Sequence, residues 1–166
     1  MEGGMPEMLG VDLNGPIVQR IEPFRFTNLP GDRLCPTQLI EGSVEALRTL
    51  RHRFPKIYVV SICLPRHVRL SRFFLQEADF YRKTGICYDD VHYCWGTGSK
   101  GPVCESLGVT HFIDDRLAVL SSLETVANRY LFGGRQYEID RCPDHDELLK
   151  DVQRVETWQE VLKLLF

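Results

Sequence analysis

The sequence predicts an α/β domain built around a mainly parallel β-sheet. Two observations carry that prediction. Short apolar or β-branched runs alternate with segments of helical period along most of the chain, as strand–helix–strand units require. Several of the apolar runs then end on a polar residue, at Asp12, Ser61 and Asp114. In parallel sheets, ligands bind beyond the carboxyl ends of the strands. The 166 residues are enough for one domain with a real core, expected to span 1–166.

The elements follow in order. "EMLGVD" reads as a short buried strand ending at Asp12. Residues 17–41 hold Pro23, Pro30, Gly31 and Pro36 around two short extended pieces, which predicts a small β-hairpin flap and no second domain. From Gly42 the period turns helical through Val44, Leu47 and Leu50, with Ser43 as the cap and Pro55 marking the end. "KIYVVSI" is a fully apolar strand closed by Ser61, and one helix is expected from about His67 to Lys83. "DVHYC" is a third strand, "SKGPVCESLG" a short helix stopped by Gly108, and "VTHFID" a fourth strand ending in Asp114 and Asp115. Leu117, Leu120 and Leu123 mark another helix, "RYLF" a fifth strand, and Gly133-Gly134 a turn. Val155, Trp158, Val161, Leu162 and Leu165 predict the closing helix.

Composition narrows the function classes. A hydrophobic content of 43% with 26% charged residues is ordinary for a globular protein, and the net charge of −3 gives no global attraction to nucleic acid or membrane. Nucleic acid is therefore not indicated, and the absence of a spanning run argues against a membrane protein. "MEGGMPEM" lacks the basic start and apolar stretch of a signal peptide, so a reducing, cytoplasmic setting is expected, with the six cysteines as thiols. Cys87, His92, Cys94 and Cys104 do not match paired zinc-knuckle spacings. Cys87 and Cys94 are expected near the ends of a short buried strand.

The polar strand ends form an ordered set: Asp12-x-Asn14-Gly15, then Ser61, then Lys100 at the start of a helix, then Asp114-Asp115. Each position has an ordinary reading as a turn former, strand-end hydroxyl, solvated loop lysine or helix cap. Together, in motif order and approximate spacing, they resemble the haloacid dehalogenase superfamily of phosphohydrolases and phosphotransferases over essentially the whole chain. The resemblance implies a three-layer, Rossmann-like α/β fold of capless type and a Mg²⁺ cofactor. Asp12 would be the nucleophile. Asp12, the Asn14 backbone carbonyl, Asp114 and Asp115 would serve the metal. Ser61 and the neighbouring Ile62 N–H would hold a phosphoryl oxygen, and Lys100 would neutralise nucleophile and transferring group.

One position departs from that pattern. Phosphatases of the family carry aspartate two residues after the nucleophile to protonate the leaving group and activate water, and here the residue is Asn14. An amide cannot exchange that proton at neutral pH, though its carbonyl can still serve a metal. Deamidation at Asn14-Gly15 would restore an acid, but a tight loop disfavours the geometry it needs. The readings are thus a weak or specialised phosphatase, or a phosphate-binding or protein-interaction module that has lost efficient catalysis. A flavodoxin-like domain would explain the clustered acids but not Lys100. An open site implies a phosphorylated substrate, small or macromolecular, or closure by a partner. Oligomeric state is left open. Arg66 leaves the strand beside the phosphate site and is a candidate for a second anionic group. Arg48, Arg51, Arg53, Arg69 and Arg72 read as solvated helix faces.

Overall fold

The computed structural model describes residues 6–19, 38–96 and 98–166. Six parallel strands form one sheet in the order β3-β2-β1-β4-β5-β6. They are β1 (Leu9–Val11), β2 (Ile57–Ile62), β3 (Val91–Cys94), β4 (His111–Asp114), β5 (Asn128–Phe132) and β6 (Gln153–Val155). The mainly parallel α/β architecture expected from the strand–helix alternation is therefore the one observed.

Helices cover both faces, which explains why the central strands are apolar on both sides. Alternate residues of each strand point to opposite faces. Leu9, Val11, Ile57, Val59 and Ile113 join one core cluster with α1 (Ser43–Leu50) and α8 (Trp158–Leu165). Leu75 of α2 (Pro65–Glu77) and Phe80 of α3 (Phe80–Thr84) extend that layer. Val60, Phe112 and Leu131 face the other cluster, closed by α4 (Lys100–Ser106), α5 (Leu117–Ser121) and α6 (Gln136–Asp140). A short helix, α7 (His145–Leu148), precedes β6. No helix among the described residues is long and apolar enough to cross a membrane.

Several local expectations are corrected. The helix expected over residues 67–83 is two helices, because Asp79 takes a left-handed conformation (φ 56°) that breaks the α-helical ladder between α2 and α3. Its apolar stripe is also shallow: Leu75 is the buried residue of α2, and Phe73 is exposed. Val155 belongs to the sixth strand, and the last helix begins at Trp158, capped by the Thr157 hydroxyl, which accepts from the Glu160 N–H. Ser43 is the first residue of α1 and not its cap; Gly42 holds that place. Cys87 is exposed ahead of a 3₁₀ turn, whereas Cys94 does end β3. The five described cysteines are free thiols.

Residues 20–37 of the expected flap lie outside the described residues. Its two ends are described, and they run antiparallel. Val18 bridges Leu39, the Gln19 N–H donates to the Gln38 carbonyl at 2.9 Å, and the Ile40 N–H donates to the Ile17 carbonyl at 2.8 Å.

Candidate active site

The strand order reverses direction at β1, whose successor in sequence, β2, lies on one side while β4 lies on the other. Such a switch point opens a crevice outside the carboxyl ends of the strands. Asp12 leaves β1 at that crevice, its N–H donating to the Ile113 carbonyl of β4 at 2.9 Å. Asp114 ends β4 beside it, and Asp115 follows. Ser61 and Ile62 finish β2 beyond the last β1–β2 pair, Val11 with Val59. The crevice thus collects residues from three adjacent strands.

Lys100 joins them from the first turn of α4. Pro102 is tolerated so close behind it because the opening N–H groups of a helix have no internal partner. The lysine is fully buried, and its Nζ donates to Asp12 Oδ1 and to Asp114 Oδ2, each at 2.7 Å. The solvated-loop reading of Lys100 is therefore excluded. Burial opposes its charge, but the two carboxylates outweigh burial and its pKa is raised. For Asp12 the balance falls the other way. Burial is the largest influence, Lys100 opposes it, the Asp114 charge adds to it, and the Asp12 carboxyl is pushed up to about 6.

Asp115 completes an acidic group: one oxygen each from Asp12, Asp114 and Asp115 lies within 4.8 Å of the others. Asp114 Oδ1 also accepts from the Arg116 N–H at 3.0 Å, which fixes the carboxylate at both oxygens. Ser61 is 1% exposed, and its hydroxyl has no hydrogen-bond partner among the described residues. An unsatisfied buried hydroxyl costs free energy unless a ligand or water meets it. Asn14 is half-buried in the loop after Asp12 and bridges Val18 through its backbone. Arg66 is exposed on the first turn of α2, its Nε 3.4 Å from His67 Nε2, and takes no part in the buried network.

The supporting roles of two residues already singled out in the sequence escaped sequence reasoning. Gly15 (φ 115°) passes directly under Asp115, so a side chain there meets both a backbone and a packing obstacle. Trp158 was legible as core, but its Nε1–H also donates to the Pro16 carbonyl at 2.7 Å and ties the final helix to the Asp12 loop. The Asn-Gly-Pro sequence was the available signal for the first. Nothing local marks the second, whose partner lies 142 residues away.

No protein-family model matches the chain, and no curated protein matches it. Among solved structures, it is similar to a Burkholderia xenovorans LB400 protein described provisionally as a haloacid dehalogenase-like hydrolase. The TM-score is 0.55 at 18% identity, covering 76% of this chain and 57% of that one. It is also similar to DsGPDH of Dunaliella salina, with a TM-score of 0.52 at 13% identity, covering 91% of this chain and 30% of that one. The chain thus spans less than two thirds of either. At these identities the likeness shows the fold alone: a parallel, Rossmann-like α/β sheet with helices on both faces, shared with the haloacid dehalogenase-like neighbour.

Proposed function

We propose that this chain is a Mg²⁺-dependent phosphohydrolase of the haloacid dehalogenase type, acting through Asp12 on phosphomonoesters and slowed or specialised by Asn14. The observation that carries the reading is the buried Lys100 bridging Asp12 and Asp114 beside an unsatisfied Ser61 hydroxyl. Such a network is costly in a protein interior and has an evident use in phosphoryl transfer.

The residues present suit a divalent cation. Three carboxylates converge against one ammonium group, an all-oxygen donor set with excess negative charge, which matches Mg²⁺ chemistry. Asp12, Asp114, Asp115 and the Asn14 carbonyl would hold it, and when bound it supplies positive charge against the phosphoryl oxygens.

The chain's own groups account for the remaining chemistry. Lys100 locks Asp12 through Oδ1, so Oδ2 is the oxygen it leaves to react. That oxygen bonds to phosphorus as the bond to the leaving oxygen breaks, and the leaving oxygen takes the electron pair and then a proton from solvent water. The Ser61 hydroxyl and Ile62 N–H donate to phosphoryl oxygens. Water then attacks phosphorus, the Asp12–phosphorus bond breaks, and inorganic phosphate leaves. Both steps need a proton moved, and an amide at position 14 cannot move it. The deficit is about 10²–10⁴ in rate, so activated leaving groups should react best.

Asn14 is also the observation that favours a second reading, a phosphate-binding or protein-interaction module on the same fold. Turnover of an activated aryl phosphate with Mg²⁺ separates the two. The enzyme reading expects measurable wild-type turnover, a gain in Asn14→Asp and loss in Asp12→Asn. Turnover indifferent to Asp12→Asn overturns the mechanism. Wild-type inactivity with Mg²⁺-dependent binding of a phosphate mimic supports the module.

A further inference from the structure

A second concentration of charge lies at the opposite edge of the sheet. Helices in parallel βαβ units run back against the strands, so their C-termini reach the strands' starting edge. The first residue of α1, Ser43, contacts the Ile17 carbonyl near the Asp12 loop, whereas its far end leads through Phe54 into Ile57, the start of β2. Between α1, along its length from Val44 to His52 just beyond it, and the far end of α3 lies a groove of about 780 Å³. Arg48, Arg51 and His52 line one side, Arg82 and Lys83 the other, and Glu45 is the one carboxylate among the described lining residues. That is a strong local excess of positive charge on a chain whose net charge is −3.

Helix-dipole complementarity does not account for all of it. Each helix terminus carries only about half a charge, which one cation offsets. The closing carbonyls are also occupied: Leu47, Thr49, Leu50 and Tyr81 accept from the N–H groups of Arg51, His52, Phe54 and Gly85. Arg82 pairs with Asp79, and Lys83 Nζ donates to the Ala78 carbonyl at 3.0 Å. Arg48 makes no ion pair or hydrogen bond through its side chain among the described residues. Arg51 is held in place by the Gly85 carbonyl, packing where a β-carbon at position 85 would have to sit. Gly85 can occupy that spot because it has no β-carbon and adopts φ 74°.

The chemistry of the lining selects the ligand. Guanidinium groups bind phosphate oxygens in pairs, and one held by its neighbour loses little freedom in doing so. Among the described residues no aromatic ring lines the groove, so nucleic-acid bases find no stacking partner there. Asp79 offsets Arg82. That leaves Arg48, Arg51 and Lys83 as permanent cations without an ion pair among the described residues, on both sides of the groove and with more charge than one phosphate carries. We propose that the groove between α1 and α3 binds a compact polyanion carrying two or more phosphate groups, at a site separate from Asp12. The proposal does not depend on the chemistry assigned to Asp12.

Calorimetric titration of the whole chain in EDTA tests it, with tripolyphosphate as the probe. The expected result is one tripolyphosphate per chain, unchanged in Asp12→Asn and weakened about tenfold or more in Arg48→Glu/Lys83→Glu. Arg48→Gln alone, which removes one exposed charge, should weaken it about threefold even if the double variant folds poorly. Three outcomes overturn the proposal. They are no binding at about 1 mM, binding lost in Asp12→Asn but kept in the charge variants, or a single-stranded oligonucleotide binding tighter than tripolyphosphate.

Discussion

Gly15 and Asp115 are in such close contact that a β-carbon on residue 15 would lie 2.5 Å from the Asp115 Oδ2 and 2.9 Å from its Cβ. The loop after Asp12 and the acid after β4 therefore constrain each other. Gly15→Ala must displace Asp115 and force alanine to φ 115°. Strain of this kind costs about 1–3 kcal/mol. Calorimetry should find a lower Tm, and a loss of Mg²⁺ affinity larger than that of a surface variant of equal Tm. Wild-type Mg²⁺ affinity in a folded Gly15→Ala protein would separate Asp115 from the metal site.

Lys100 neutralises two buried carboxylates at once. Lys100→Met keeps the stem's bulk and removes the charge, leaving Asp12 and Asp114 facing each other without compensation. Removing one partner of a buried ion pair costs about 3–5 kcal/mol. The variant should melt well below wild type in EDTA and recover a larger share of its stability with Mg²⁺ than wild type gains. Equal Mg²⁺-induced shifts in the two proteins would contradict the shared-site arrangement.

The strand ends were legible because a polar residue closing an apolar run is a local signal. That is how Asp12, Ser61, Asp114 and Asp115 could be placed at one edge of a parallel sheet. The burial of Lys100 was not legible. Gly98 and Gly101 flank it, as in an exposed loop, and the acids that draw it inward are 88 and 14 residues away. The sixth strand has three residues, two of them exposed, too short to show a period. The break at Asp79 escaped for a related reason. The apolar spacing continues across it through Phe80 and Tyr81, and a left-handed aspartate has no distinctive neighbours.

In the proposed site, proton and metal would compete for Asp12. Burial raises its carboxyl to about 6, so below that pH the metal-free protein increasingly carries a neutral Asp12. The raised value means the metal-free fold loses stability as pH rises from the ordinary carboxylate range through about 6, while Mg²⁺ binding gains. The Mg²⁺-induced rise in Tm should therefore grow between about pH 5 and pH 7.5. Taking the difference with and without metal at each pH removes the contribution of groups outside the site. Asp12→Asn should flatten the dependence. A shift that stays constant with pH in wild type would exclude Asp12 as a ligand.

His111 gives a pH dependence of the opposite sign at the other end of β4. Its ring stacks on Tyr130 at 6.1 Å, meets the edge of Phe54 at 5.0 Å, and Nδ1 lies 2.9 Å from Thr110 Oγ1. Burial chiefly, with Arg53 adding and Glu7 opposing, lowers its pKa from 6.5. The folded protein thus favours neutral His111. Its contribution is complete above the unfolded value of 6.5 and is lost as pH falls through the lower folded value. His111→Phe keeps the ring and removes the titration, and Thr110 Oγ1 still donates to the Met8 carbonyl at 3.1 Å. Relative to the variant, wild type should lose Tm progressively below about pH 6, with no matching change above about pH 7. Activity should be untouched because His111 and Asp114 begin and end the same strand. A wild-type-minus-variant Tm difference that is level from pH 5 to pH 8 would show that His111 does not titrate with folding.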